Sequence, residues 1–333
     1  MGTLEQSTNN DPDVVLYIEH SGIGNTVLST PLLKAVRLLK PHCHLYVHCW
    51  NRSVRAFEGL EFIDSCFVTP PSYLTNPLRS NIDYLIVSPV GALANIVSSF
   101  VNTTKHLLRI NVGPFWAKHE AEYKFDIAKQ LGFIGPMPPC SFATFDCNVE
   151  KAESWLKSTG FNTFICINAS FLKTGHWHLK GWDRYAELLT QLNVKYPEYN
   201  YVFIGTKEDR GDADRIINGA HIKDGKCFNL CGKSDDIKDT AAVMLQSDLV
   251  IGNDGGLQHI AAALGVPTVT IFLFTNIIKN RPLGPLSHIA ANDCDKRLTC
   301  QHHIELIDVC SQNGCMSVSV DKVMEKVGMA LDK

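Results

Sequence analysis

One stretch does most to restrict what this chain can fold into. Asp248 to Gly252 is a short β-rich apolar run, Asn253-Asp254-Gly255-Gly256 is a turn, and Leu257 to Leu264 is apolar and alanine-rich. Gly265-Val266-Pro267-Thr268 then leads into the apolar Val269 to Phe274. Strand, glycine turn, helix and strand in that order read as a crossover unit of a parallel sheet. Gly255 and Gly256 carry no side chain and tolerate positive φ, so a ligand can approach the backbone closely there. The free N–H groups and positive dipole end of the helix's first turn suit a phosphate or pyrophosphate. Asp254 beside them suits sugar hydroxyls, and His259 lies one turn into the helix on the same edge. Together these groups fit a nucleotide-sugar diphosphate, although a glycine turn alone occurs in α/β proteins of every kind.

The same alternation runs through the rest of the chain. Val14 to Ile18 is an apolar strand, Ser21 to Asn25 a glycine-containing turn, and Thr26 to Leu39 repeats apolar residues at helical spacing. Pro31 falls near the start of that helix, where proline is tolerated. His44 to Cys49 and Tyr84 to Val87 read as further strands. Gly135-Pro136-Met137-Pro138-Pro139 punctuates the middle and, with the residues to Asn148, reads as a linker. The pattern then restarts with a strand at Phe164 to Ile167, a helix at Trp182 to Leu192, a strand at Tyr201 to Gly205 and a helix around Ala241 to Leu245. The expectation is an α/β chain of two doubly wound, Rossmann-like domains: a polar tail over 1–12, an N-terminal domain over 13–147 and a C-terminal domain over 148–333. A ligand cleft lies between the carboxyl ends of their strands.

Composition narrows the function. The 333 residues are 45% hydrophobic and 20% charged with a net charge of −3, an ordinary globular balance, and no long basic run favours nucleic acid. Residues 1–13 lack the layout of a secretion signal, and no apolar run reaches a membrane-spanning length, so the chain reads as cytoplasmic. Most of the 12 cysteines sit in apolar strand patterns, as Cys166 does, and read as inert core residues. Cys294, Cys300, Cys310 and Cys315, with His302 and His303, form a cluster without the Cys-x-x-Cys knuckles of structural zinc, and it is read as structural rather than metal-binding. His20-Ser21-Gly22-Ile23-Gly24-Asn25 lacks the third glycine of a dinucleotide fingerprint, no acidic residue ends the second strand, and there is no Gly-x-x-x-x-Gly-Lys loop. A dehydrogenase or a P-loop NTPase is therefore disfavoured.

Several motifs, in order, resemble glycosyltransferase family 9, the lipopolysaccharide heptosyltransferases. Asp254, Gly255, Gly256, His259, Gly265, Pro267 and Thr268 match the family's C-terminal signature; Gly22 to Pro31 looks like its first motif. Asn168-Ala169-Ser170, Lys180-Gly181-Trp182, Gly205-Thr206-Lys207-Glu208 and Asn229-Leu230-Cys231-Gly232-Lys233 are similarly placed between them. The resemblance implies the GT-B architecture, with donor in the second domain and acceptor in the first. It implies an inverting transferase that moves a sugar, heptose from ADP-heptose by analogy, onto a saccharide or glycolipid hydroxyl in lipopolysaccharide or a related glycan. No nucleic acid partner or cofactor is implied, and membrane contact is confined to peripheral approach to the cytoplasmic face for a lipid-linked acceptor.

Each site residue has two readings. Lys180 is either a solvated charge before a helix or the cation that neutralises the departing diphosphate, which matters because no Asp-x-Asp metal pair is present. Glu208 either accepts from a ribose or complements a helix N-terminus. Ser170 donates to a phosphate or simply ends a turn. Asn25 stands where the family carries the Asp taken as the base, and a carboxamide has no useful basicity. His20, at the end of the first strand, is the replacement candidate, with Asn25 orienting the acceptor; its alternative is a structural histidine. His119 and Glu120 are candidates for lining the acceptor side. Two rivals remain open: a nucleotide-sugar epimerase or hydrolase of the same fold, and an inactive relative that binds nucleotide or glycan.

Overall fold

A computed structural model describes residues 12–69, 82–88, 101–110, 118–171, 173, 175–293, 314 and 316–332. Cys294, Cys300, Cys310 and Cys315, with His302 and His303, lie outside the described residues. The first half carries β1 (Val14–Glu19), α1 (Ile23–Val27), α2 (Thr30–Leu39), β2 (His44–Trp50), α3 (Asn51–Val54), β3 (Ser65–Thr69), β4 (Ile82–Val87), β5 (Thr103–Arg109) and α4 (Glu120–Gln130). The second carries α5 (Asp146–Thr159), β6 (Phe164–Asn168), α6 (Tyr185–Lys195), β7 (Asn200–Phe203), α7 (Arg210–Gly219) and β8 (Cys227–Asn229). It continues with α8 (Ile237–Leu245), β9 (Leu249–Asn253), α9 (Gly256–Ala263), β10 (Thr268–Phe272), α10 (Ile277–Asn280), β11 (Ser287–Ala291) and α11 (Val320–Leu331).

Two parallel sheets result, ordered β3-β2-β1-β4-β5 and β11-β10-β9-β6-β7-β8. In each, the strand order reverses once, between β1 and β4 and between β6 and β9. Ligands of doubly wound sheets bind at such switch points, outside the carboxyl ends of the strands. The central strands are buried on both faces. Ile165, Ile167, Leu249 and Ile251 pack with α6 and α11 on one side, while Phe164, Cys166 and Val250 pack with α5, α8 and α9 on the other. This is why they read as continuous apolar runs rather than alternating ones. Cys166 is the inert core thiol expected, its pKa pushed up to about 12 by burial.

Two local expectations differ from the structure, and two edge strands were not expected at all. The single helix expected over 26–39 is two, because Pro31 has no N–H to offer the Val27 carbonyl and Thr30 Oγ1 donates to that oxygen instead at 2.7 Å. The residues read as linker up to Asn148 already include the start of α5, whose Asn148 Nδ2 donates to Asp239 Oδ1 on α8 at 2.7 Å. The edge strands β3 and β5 have no clear period-2 signal; β5 is mostly solvent-facing, so no apolar face marks it.

The two halves meet through specific contacts. Arg55, at the C-terminal cap of α3, pairs with Asp236, which caps α8. Lys238 Nζ donates to the carbonyls of Glu58 (2.9 Å) and Ala143 (2.5 Å) while lying over the Phe142 and Phe145 rings. Burial, reinforced by Arg55, lowers the Lys238 pKa to about 8.

Candidate functional site

At the second sheet's switch point, Asn253 ends β9 with no exposed surface. Its Nδ2 donates to the carbonyls of Ala169 (3.0 Å) and Ser170 (3.3 Å); its Oδ1 accepts from Trp182 N (3.2 Å) and Tyr185 OH (3.0 Å). One side chain thus fixes the ends of β6 and β9 and the start of α6 relative to one another. Asp254 follows, nearly buried, and its Oδ2 accepts from Lys180 Nζ at 2.7 Å and Thr275 Oγ1 at 2.8 Å. Lys180 closes a 3₁₀ turn, Gly175–Lys180, and its Nζ lies 5.1 Å from the centre of the Trp177 ring, which tilts against Phe274. The sequence suggested separate tasks for Lys180 and Asp254. In the structure each is the other's partner.

The two glycines after Asp254 divide their roles. A Cβ at Gly255 would meet nothing closer than Asn253 O at 3.7 Å, so the backbone there is open. A Cβ at Gly256 would lie 3.2 Å from Ile23 Cβ, and one at Gly24 would lie 2.8 Å from His259 Cδ2. Gly256 and Gly24 therefore let α1 of the first half rest directly on α9, and only Gly255 leaves backbone for a ligand. His259 is buried, its Nδ1 without a hydrogen-bond partner, and burial lowers its pKa to about 4 against the opposing pull of Asp254. At neutral pH it is a neutral imidazole, able to hydrogen bond but not to supply charge.

Ser170 and Glu208 sit at the ends of β6 and β7. Ser170 N donates to Asn168 Oδ1 at 3.2 Å; its Oγ is buried without a partner and lies 2.5 Å from where a Cβ of Gly205 would be. Glu208 is exposed, with its pKa lowered by its own backbone N–H and the Thr206 hydroxyl, so it is ionised and accessible. The neighbouring Asp209 is the capping residue, accepting from Thr206 N and Oγ1, both at 2.8 Å.

In the first half, His20 is buried beyond the end of β1. Its Nε2 lies 3.0 Å from His48 Nδ1, and the Trp50 ring centre is 5.4 Å away. Burial lowers the His20 pKa, opposed by the Glu19 charge; burial and His20 together lower that of His48 to about 4. Glu19 lies on the face covered by α2 and α4, where its Oε2 accepts from Tyr17 OH (2.7 Å), Ser29 Oγ (2.9 Å) and Lys124 Nζ (2.8 Å). Burial opposes its ionisation, but the Lys124 ammonium and these donors hold its pKa low. The half-buried Asn25 gives its carbonyl to Ser29 Oγ (2.9 Å) and Lys124 Nζ (2.7 Å).

His119 and Glu120 do not line an open acceptor face. Both are buried where the halves meet. His119 Nδ1 caps α4 by accepting from Ala121 N, and its Nε2 lies 2.7 Å from the carbonyl oxygen of Arg281. Asn253, Thr275 and Trp177 were not among the residues expected at the site. Asn253 carried a signal, a polar residue closing an apolar strand; the other two carried none, since their positions follow from how distant segments meet.

Two buried neutral histidines make stability sensitive to acid. His48 and His259 have folded pKa values near 4, below the unfolded value near 6.5, so the unfolded chain binds more protons between those limits. Stability should be intact above pH 6.5 and fall as pH drops toward 4, by up to about 3 kcal/mol for each histidine at roughly 1.4 kcal/mol per pKa unit. Urea melts from pH 7 to 4 check this: His48→Gln and His259→Gln should each flatten the slope, and unchanged slopes would contradict the neutral burial.

Among the described residues, no group of three or more His, Cys, Asp or Glu could hold a metal ion, and no helix is long and apolar enough to cross a membrane. The profile of glycosyltransferase family 9 (heptosyltransferase) matches residues 141–308, just over half of the 333. Lipooligosaccharide heptosyltransferase 2 of Haemophilus ducreyi is 28% identical over 111 residues, 33% of this chain and 30% of that protein. The chain spans less than half the length of the curated relatives it matches. Among solved structures, a glycosyl transferase family 9 protein from Veillonella parvula superposes with a TM-score of 0.81 at 17% identity, covering 96% of this chain and 97% of that one. ADP-heptose lps heptosyltransferase II of E. coli gives 0.75 at 16% identity, covering 95% and 98%. At these identities the likeness to solved structures is one of fold.

Proposed function

The chain belongs to glycosyltransferase family 9 and has its two-sheet GT-B fold, and we propose that it transfers a sugar from a nucleoside-diphosphate donor to the hydroxyl of a saccharide or glycolipid acceptor. The observation that carries this reading is the open backbone at Gly255 on the N-terminus of α9, beside the Lys180–Asp254 pair and in contact with the first half through Gly24 and His259. Residues 148–333 are the donor side and 13–147 the acceptor side. The diphosphate accepts from the open backbone at Gly255, ahead of α9, and from Lys180, whose ammonium carries three donors and can serve both Asp254 and a phosphate oxygen. Ser170 Oγ has unused hydrogen-bonding capacity for a phosphate, and the exposed Glu208 is our candidate for accepting from a ribose.

The chemistry is a direct displacement. The acceptor oxygen forms a bond to the anomeric carbon as the bond to the diphosphate oxygen breaks, inverting that carbon. The acceptor proton passes to a base, for which His20 is our candidate, with Asn25 orienting the hydroxyl. The nucleoside diphosphate leaves with its charge stabilised by Lys180 and α9 rather than by a metal ion. By family analogy the donor is ADP-heptose and the product part of a lipopolysaccharide or related glycan.

Thermal stabilisation by ADP, UDP and GDP, each with EDTA, is the test. One nucleoside diphosphate should raise the melting temperature, with the effect surviving EDTA and weakened in Lys180→Ala. A strict Mg²⁺ requirement would contradict the metal-independent mechanism, and no binding by any nucleotide would remove the donor site. A second assay follows donor consumption with and without acceptor. Turnover that ignores the acceptor favours an epimerase or hydrolase. Asn25, which has no basicity, favours the third reading, a binder without turnover; nucleotide binding with no transfer to any acceptor would support it.

A further inference from the structure

Buried charges between the two halves form a continuous chain. Lys124 of α4 is 1% exposed, and its Nζ donates to Glu19 Oε2 (2.8 Å), Ser29 Oγ (2.9 Å) and the Asn25 carbonyl (2.7 Å). It also pairs with Glu120 Oε1 at 3.4 Å, one helical turn away and equally buried. Glu120 Oε2 in turn lies 3.6 Å from Lys279 Nζ, on α10 of the second half. Thr275, four residues before Lys279, donates to Asp254, and between them Asn276 caps α10 by accepting from Lys279 N at 3.1 Å. The chain thus runs from the donor-side carboxylate Asp254, through Thr275–Lys279, Glu120 and Lys124, to the backbone of the turn that carries Asn25.

We propose that Lys124 is the positioning residue for the α1 turn, and that the Glu120–Lys279 pair ties this turn to the donor half, so the acceptor side takes its working geometry only when the halves are docked. This rests on the transferase reading for its consequence, though not for its geometry. Two physical points support it. Desolvating four charged groups is costly, and apolar packing would hold a static interface at least as well, so such chains are better suited to fixing register than to adding stability. The turn that Lys124 grips is also the segment pressed against α9, where a Cβ at Gly24 would lie 2.8 Å from His259 Cδ2 and one at Gly256 would lie 3.2 Å from Ile23 Cβ. A small displacement of α1 therefore changes the distance between the acceptor turn and the donor helix directly.

The test uses the full chain and reads α1 itself. The Thr26 and Leu28 amides, bonded to the Gly22 and Gly24 carbonyls, report the turn by hydrogen exchange. In Lys279→Met and Glu120→Gln these amides should exchange about tenfold faster than in the unaltered protein, while the amides of β1 and β9 keep their protection. Lys124→Met strands Glu19 and is expected to misfold; Glu19→Gln with Lys124→Met removes both charges, and Lys124→Arg should restore protection that the double variant loses. In transfer assays Lys279→Met should lower kcat or raise the acceptor KM, with nucleoside-diphosphate affinity within about twofold of the unaltered protein. Unchanged exchange at Thr26 and Leu28 in both single variants would overturn the proposal, as would a loss of nucleotide affinity in step with transfer. If the unaltered protein transfers no sugar, the functional reading fails, and the exchange comparison still decides whether this chain positions α1.

Discussion

His20→Gln is expected to lower transfer by roughly 10²–10⁴-fold, the usual worth of a general base. The structure places His20 at the carboxyl end of β1, beside the switch point, with its Nε2 against His48 Nδ1. His48 stays neutral because its pKa is near 4, so it can accept from His20 Nε2–H and hold that imidazole in one orientation. The sign of the pH effect follows. A base works deprotonated, and burial moves the His20 pKa below 6.5. The rate should be flat through neutrality and fall as pH drops through a midpoint below 6.5. A kcat/KM profile checks this, and the acid limb should disappear in His20→Gln. An unchanged rate in that variant, together with a large gain in Asn25→Asp, would show that the chain lacks a base and works chiefly as a binder.

Lys180→Ala is the second large effect, an expected loss of roughly 10²–10³-fold in kcat, the magnitude for removing one preorganised electrostatic group. It also strips Asp254, whose side chain is 4% exposed, of its cation, leaving Thr275 as its remaining side-chain partner. Stability should fall by about 1–3 kcal/mol, the range for losing a charged hydrogen bond. Measuring both quantities separates the roles. Asp254→Asn with Lys180 retained should recover much of the stability while transfer stays impaired, because an amide keeps a hydrogen bond but not the charge. Full activity in Lys180→Ala would mean that α9 alone carries the leaving group.

Much of the architecture was legible because it is written in local patterns. Buried parallel strands must be apolar on both faces, so Phe164 to Ile167 and Leu249 to Gly252 announce themselves. The Asp254-Gly255-Gly256 turn was readable as the junction between a buried strand and a helix, although only Gly256 is crowded, by Ile23, while Gly255 is extended and open. β3 and β5 were not legible, because edge strands bury too little to impose a pattern. The break between α1 and α2 turned on Thr30 competing for one carbonyl, which helical spacing does not record.

The candidate site divides along the same line. Residue type and order along the chain determined the family and the two-sheet fold and suggested the candidate donor-side and acceptor-side residues, because propensity, burial and motif spacing act over a few residues at a time. Only the tertiary structure decided that Lys180 and Asp254 are partners, that Gly256 is filled by Ile23 while Gly255 stays open, and that Glu120 faces Lys279 rather than an acceptor. These contacts join residues 74, more than 230 and 159 positions apart, two of them across the junction of the two sheets. Their energies come from desolvation and close packing, which exist only once both sheets are folded and docked.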